Sequence, residues 1–475
     1  MATRTFEIAG RDGSSVAVGA RQLEHLSSRI DGPLLTAGDE GWDEAVRIWN
    51  GMVAKVPALV VQPTSSQDVA AAVDFARDQG VLLSVKGGGH NIAGTAIAEG
   101  GLTLEMSRMR SVKVDPDARL VNVGPGCLLG DVDAATQEHG LATVLGFMSE
   151  TGVAGLTLGG GWGFLARRFG FAVDNLEEVE IVTADGKIRT ANRQENADLF
   201  WAVRGGGGNF GIVTRFTFRL HEVGPTVTGG LIGWPVERAE QVLSTYRELT
   251  ESAPRELTAA LAIRLAPPAP FVPQQFHFKP VVTMLVCHSG PNPEKDLEPI
   301  RALGEPGVDT IAEKPYTEQQ SMINPMEPSG PHRYWKTEFF PKLDDGFLEA
   351  FRENAAGTPS PLSYGIVFHL AGALNEHDED DGAVGNRDAH YVGGFAGVWM
   401  PGASGSDEIA WTRKGWEAIR PYSTGGNYVN FQLAEDGVER TADAYGGNFA
   451  RLQKVKAAYD PDNVFRVNRN ISPST

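Results

Sequence analysis

Cysteine is nearly absent from this chain: Cys127 and Cys287 are the only two in 475 residues. So few, so far apart, exclude a disulfide framework and a thiolate zinc site. Cys287 closes the apolar run 281–287 and reads as a packed core thiol. No run of about 18 apolar residues occurs, so no helix is expected to span a membrane. Positive charge is also short, since 42 Lys and Arg against 60 Asp and Glu leave a net −18 at pH 7. That balance repels phosphates, so neither nucleic acid nor an anionic membrane is an expected partner. Residues 1–7 lack the apolar stretch of a secretory signal, which makes a cytoplasmic location the default expectation. Neither a metal cluster nor a nucleophile–base triad is visible, and no metal is expected.

Glycine is abundant, at 57 residues, and hydrophobic residues make up 41%. A chain this long needs two or three cores. From residue 57 the pattern alternates between strand and helix. Residues 58–61 form a short strand, Ser65–Asp68 supplies caps, and Val69, Ala72, Val73 and Ala76 mark one helical face. Gly80 stops that helix and 81–85 begins the next strand. Later strands are expected at 120–123, 179–183 and 212–220. Beyond His221 come amphipathic helices (238–249, 343–354), strand-like runs (257–265, 281–287), a proline cluster at 267–273 and an acidic loop at 378–381. The expected organisation is a first domain over 1–222 with its core at about 50–222, a second α+β domain over 223–420, and a segment 421–475 returning to the first.

Two glycine turns carry nucleophiles. One reads Val85-Lys86-Gly87-Gly88-Gly89-His90-Asn91 and the other Gly124-Pro125-Gly126-Cys127, each after a strand-like run. An imidazole and a thiol at strand-to-loop junctions can each bond an electrophilic cofactor, which would make the protein a redox enzyme. Gly206-x-Gly208-x-x-Gly211 matches the dinucleotide fingerprint formally, but it follows a helix-like segment and precedes a strand. That order is inverted, so a Rossmann site is not expected. Several glycine loops approaching one bulky ligand, with backbone N–H groups for a pyrophosphate, is the alternative to ordinary turns.

These motifs together resemble the vanillyl-alcohol-oxidase-type FAD proteins with the PCMH-type binding fold, and within them the berberine-bridge-enzyme-like branch. The resemblance rests on Lys86–Asn91, Gly124–Cys127, Leu158-Gly159-Gly160-Gly161-Trp162-Gly163, the run from Asp198 to Gly211, and the run from Tyr459 to Ile471. It implies an α+β fold with a bipartite FAD domain and a substrate domain between its parts. It also implies covalent FAD, with His90 on the flavin 8α carbon and Cys127 on C6. The remaining cofactor contacts it implies are Val85 to Gly89, Asn91, Gly94, Gly124, Pro125, Gly146, Thr151, Gly152, Val153, Gly155, Gly159, Gly160, Gly161, Gly211, Ile212, Val213, Asn427, Tyr428 and Asn430.

The implied activity is hydride transfer from a CH–OH group of a carbohydrate, nucleoside or similar polyol, with O2 as acceptor and H2O2 as product. C–N oxidation, oxidative cyclisation, and a dehydrogenase with poor O2 reactivity remain alternatives. Tyr428 is the first candidate base, although an ordinary tyrosine titrates near pH ~10; Tyr391 is a second. Arg387 is a candidate for orienting a polar substrate. His369, on the alternating strand 364–370, either points into the pocket or is a core or surface histidine. Relatives often carry a tyrosine some 14 residues past the bonding cysteine, where this chain has Leu141. Val153 stands where the family's oxygen gate lies, and a valine there goes with oxidases. Trp335, Phe339, Phe340, Trp399 and Phe431 are candidates for stacking on substrate. The expected partners are a small-molecule substrate and O2, with the chain a monomer or homodimer.

Overall fold

A computed structural model describes residues 5–378 and 381–474. The first four residues of the N-terminal segment and the middle of the acidic loop lie outside the described residues. The fold is α+β, built on three main sheets.

The first sheet shows how the sequence aims one turn. Ser65 Oγ accepts from Asp68 N at 3.2 Å and starts the helix Ser66–Gln79, which Gly80 ends in the left-handed region at φ 70°. Val69, Ala72, Val73 and Ala76 of this helix are buried against Leu59, Val61, Leu102 and Leu104. The strand Leu83–Lys86 lies parallel to Leu102–Glu105, which lies parallel to Leu59–Val61. The expected strand starts later than Val81, which makes only an isolated bridge to Gly10. The chain leaves this strand at Lys86 straight into the Gly87–His90 turn.

A five-stranded antiparallel sheet follows, ordered Ile188–Asn192, Leu176–Val182, Ile212–Arg219, Leu120–Val123, Val112–Asp115. The helix Ala197–Val203 packs on it, and so does the helix Phe449–Tyr459 from the end of the chain, through Leu452 and Val455.

From Thr226 onward the strands form an eight-stranded sheet whose pairings are all antiparallel. Side chains alternate between its faces. One face carries Leu261, Ile263, Met284, Val367 and Phe395 against the helices Ala239–Ser252, Asp345–Ala355 and Ser406–Ile419. The other face, a palm, looks toward the first two sheets. Two polar clamps join the parts. Arg167 donates to the carbonyls of Ala371 (2.6 Å), Pro254 (2.7 Å) and Ala253 (3.1 Å). Asn50 Nδ2 donates to the carbonyls of Ile92 (2.8 Å) and Arg333 (3.0 Å) while its Oδ1 accepts from Arg333 N. No helix among the described residues is long and apolar enough to cross a membrane.

Candidate active site

Between the palm and the glycine turns lies a cavity of about 450 Å³. Three loops present bare backbone to it: Gly87–Gly89 after the first strand, Thr151, Gly152 and Gly155 at the helix Val153–Leu158, and Gly207 and Gly208 before the strand Ile212–Arg219. The first two loops touch backbone to backbone. A Cβ on Gly88 would stand 2.4 Å from Gly152 N, and one on Gly152 would stand 2.3 Å from Gly88 N. Only glycine closes this crossing. Val85, Asn91, Pro125, Gly146, Gly211, Ile212, Val213, Tyr428 and Asn430 also line the cavity. The end of the chain adds Asn468 and Arg469. Arg469 Nε is buried there without a hydrogen-bond partner. A flat cofactor with an anionic pyrophosphate suits this donor set: glycine walls, exposed backbone amides and one buried guanidinium.

His90 borders the cavity with its imidazole stacked on Trp49, centroids 5.1 Å apart and planes 18° from parallel. Trp49 donates its indole N–H to the Glu327 carbonyl at 2.9 Å and has the Arg333 guanidinium 3.9 Å from its ring centre. Burial, with the Arg333 charge behind it, pushes the His90 pKa down to about 4. The imidazole is therefore neutral at physiological pH, with a lone pair available for attack. Asn91 braces the turn, its Oδ1 accepting from Ala93 N (3.0 Å) and Thr95 N (3.3 Å).

At another wall, Tyr428 Oη accepts from Gly161 N at 3.0 Å and from Asn430 Nδ2 at 2.9 Å. Burial outweighs both donors and raises the phenol to about 12. Edge-on contacts run from Tyr428 to Phe431 (5.0 Å), on to Trp335 (5.1 Å) and on to Trp49 (5.6 Å). A continuous aromatic arch thus joins Tyr428 to His90.

Several expected contacts take supporting places instead. Lys86 turns away from the cavity, its Nζ 3.7 Å from buried Glu105 and bonded to the Glu44 carbonyl. Gly94 packs on Val53, and Gly124 on the Met109 carbonyl. Gly159, Gly160 and Gly161 lie behind Asn430 and Tyr428, where a Cβ on Gly159 would collide with Asn430 Oδ1 at 2.1 Å. Asn427 donates to the Arg440 carbonyl and accepts from Gln432, fixing its own loop. Val153 is fully buried in the hydrophobic core that also holds Cys127, while its neighbour Ala154 faces the cavity.

Cys127 follows Pro125, which lines the cavity, by two residues. Its turn folds the side chain inward, Sγ donates to the Ser111 carbonyl at 3.3 Å, and the residue has no exposed surface. Burial, with Asp131 nearby, raises the thiol to about 11. Leu141, placed by its distance from Cys127, is buried in a two-residue strand where it pairs with Glu222.

Strand parity removes two candidates. On Tyr364–His369, Tyr364, Ile366 and Phe368 line the cavity, so His369 points to the helical face. There it lies 5.3 Å from its cross-strand partner Tyr391, with both ring nitrogens unpartnered, and burial beside Arg167 pushes its pKa well down. Tyr391 bonds Thr250 at 2.8 Å on that face. Arg387 pairs with buried Asp174 at 2.7 Å. Of the aromatics, Trp335 and Phe431 line the cavity. Phe339, Phe340 and Trp399 are packed in hydrophobic clusters. Sequence reasoning missed Trp49, Met148, Arg264 and Glu327, which also line the cavity.

The matches to known proteins follow the same geometry. The FAD binding domain family model covers residues 57–192, and the berberine and berberine-like model covers 427–472. A Dictyostelium discoideum FAD-linked oxidoreductase is 32% identical over 97% of this chain and 99% of its own. (R)-6-hydroxynicotine oxidase of Paenarthrobacter nicotinovorans is 32% identical over 94% and 97%. Among solved structures, glucooligosaccharide oxidase of Acremonium strictum superposes with a TM-score of 0.84 at 26% identity, over 95% of this chain and 100% of that one. Its FAD is described as 6-S-cysteinyl, 8α-N1-histidyl.

Proposed function

The chain belongs to the berberine and berberine-like family of FAD-dependent oxidoreductases, and from that membership we propose an oxidase of CH–OH groups whose covalent FAD is anchored by His90 and Cys127. The observation that carries this reading is the neutral His90 imidazole, stacked on Trp49 at the edge of a glycine-walled cavity. The chemistry FAD supplies when bound is acceptance of a hydride from the substrate carbon and return of both electrons to O2 as H2O2.

The chain's own residues supply the rest. His90 provides the anchoring nitrogen. Tyr428 faces the substrate space, and the two N–H donors on its oxygen stabilise its phenolate, the form that takes the hydroxyl proton and becomes the neutral phenol. Gly159, Gly160 and Gly161 hold Tyr428 and Asn430 in place. Trp335, Phe431 and Trp162 wall the substrate space and exclude water. A second reading, oxidation of a C–N bond in a flat ring, draws support from that aromatic wall and from the hydroxynicotine oxidase relative. The division into a bipartite FAD domain and a substrate domain over 223–420 belongs to this proposal as well.

The test is intact mass and absorbance after acid denaturation, for wild type, His90→Ala and Cys127→Ala. Wild type, His90→Ala and Cys127→Ala should each stay yellow and one FAD heavier, each variant through its remaining bond. Flavin released by His90→Ala would remove the cysteinyl bond, and flavin released by Cys127→Ala the histidyl bond. Peroxide release from a panel of aldoses, polyols and hydroxylated nitrogen heterocycles separates the two substrate readings.

A further inference from the structure

The cavity has a second polar pole, away from Tyr428 and on the palm of the large sheet. One cross-strand row of the palm runs Trp335, Ala396, Tyr364, Arg264, Val281. Three strand spacings separate Trp335 from Arg264, roughly 14 Å. Glu327 closes over this row. It bonds the Tyr364 hydroxyl and pairs with Arg333 Nε at 3.4 Å. Arg333 also donates to the carbonyls of Pro328 (2.6 Å) and Pro331 (3.1 Å). The charges of Glu327 and Arg333 thus answer each other.

Arg264 feels the Glu327 carboxylate but forms no ion pair with it. Its guanidinium carbon lies 5.5 Å from the Tyr364 ring centre, and its Nε is buried without an acceptor. Among the described residues it makes no ion pair. A guanidinium stays protonated at any physiological pH. Two cations against one carboxylate leave this end of the cavity with one uncompensated positive charge. Holding a half-buried cation without a counter-charge costs stability. An anion arriving from the cavity removes that cost, and a carboxylate matches the guanidinium fork in two parallel hydrogen bonds.

We propose, resting on the oxidase reading above, that Arg264 is the counter-ion for a substrate carboxylate, so that the substrate is an alcohol or polyol bearing an acidic group. Tyr364 backs the guanidinium with its ring face and Glu327 fixes Tyr364. The same charge repels an ammonium group, which disfavours the amine reading of the cavity.

Three probes of one shape and different charge test this: benzoate, benzamide and benzylamine, titrated into the purified flavoprotein and followed by the flavin absorbance and tryptophan fluorescence. Wild type should bind benzoate about tenfold or more tightly than benzamide, the range of a hydrogen bond to a charged group, and benzylamine weakest. Arg264→Gln should bring the benzoate-to-benzamide ratio to about one, and Arg264→Lys should keep part of it. Equal affinities in wild type, tightest binding of benzylamine, or a benzoate preference that survives in Arg264→Gln would each overturn the assignment. If Arg264→Gln fails to load flavin, the wild-type ratio and Arg264→Lys still decide. The readout is binding and needs no turnover. A carboxylate preference without peroxide from any alcohol sinks the oxidase reading alone, whereas peroxide from neutral sugars without that preference sinks this one alone.

Discussion

The imidazole of His90 lies face to face with the indole of Trp49, and the same indole carries the Arg333 guanidinium 3.9 Å from its ring centre. The anchor is thus kept neutral by position. Burial and a cation reached through one aromatic ring both oppose its protonation.

Trp49→Ala should therefore slow flavin attachment and make it depend on pH. An aromatic stack contributes about 0.5–1.5 kcal/mol, which corresponds to roughly two- to tenfold in rate. Without the indole, water reaches the imidazole and its pKa returns toward its ordinary value near ~6.5. Attachment in the variant should then fall off as pH drops below about 6, while in wild type it holds to about 4. Acid-stable flavin fluorescence against time, on reconstitution between pH 5 and 8, reads both effects. Identical profiles for the two proteins would show that the stack does not set the nucleophile.

Tyr428→Phe removes the oxygen that accepts from Gly161 and Asn430. Loss of an acid–base group predicts a kcat lower by about 10²- to 10⁴-fold with covalent flavin content unchanged. Because burial puts the phenol at about 12, the ionised fraction grows tenfold per pH unit across the whole neutral and alkaline range. The kcat/KM of wild type should rise with pH from 7 to 10 without a plateau. A flat profile in that range, or unchanged turnover in the variant, takes Tyr428 out of the proton transfer.

Gly88→Ala and Gly152→Ala each drive a methyl into the other's backbone nitrogen. Overpacking of this kind costs about 1–3 kcal/mol, and here the contacted atoms are backbone on both sides. Each variant should show a lower Tm and a lower ratio of flavin to protein absorbance. Because the two sites touch, the double variant should lose less than the sum of the singles. Full flavin loading at an unchanged Tm would mean the crossing is looser than its geometry.

Asp133 links stability to pH. Its carboxyl is buried, Oδ1 has no partner, and Gln320 reaches Oδ2 at 3.0 Å from the helix Tyr316–Ser321, across the junction between the first sheets and the palm. Burial raises it from 3.8 to about 7. The folded chain therefore holds this proton where the unfolded chain has lost it. The contribution is fully present below about 4 and is lost as pH rises to about 7. Asp133→Asn should flatten the decline in Tm between pH 5 and 8. A variant whose Tm declines in parallel with wild type would assign the slope to other groups.

Much of this was legible in the residues. The cap at Ser65 and Asp68, the stop at Gly80 and the glycine turn at His90 are local signals, and local geometry follows from them. The inverted order around Gly206 was also readable, since the helix Ala197–Val203 precedes it and the strand Ile212–Arg219 follows. What could not be read was direction. Cys127 and His90 both follow glycine turns, but whether a side chain at such a turn points to the cavity or to the Ser111 carbonyl depends on what packs behind it. For His369 the strand was legible but its face was not, because parity is fixed only when one residue of the strand is known to face the ligand, and Tyr391 shares that face as its cross-strand partner. Trp49 and Arg264 reach the cavity from segments distant in sequence, with no motif to mark them.

The large sheet divides two duties by odd and even position. On Tyr364–His369, alternate residues answer either to the helices or to the ligand, and on Leu257–Leu265 Ala260, Ala262 and Arg264 answer to the ligand while Leu261 and Ile263 hold the helices. Drift at one set of positions leaves the packing of the other intact. A lineage can therefore exchange one substrate for another by rewriting every second residue of a few strands, while the scaffold beneath stays the same.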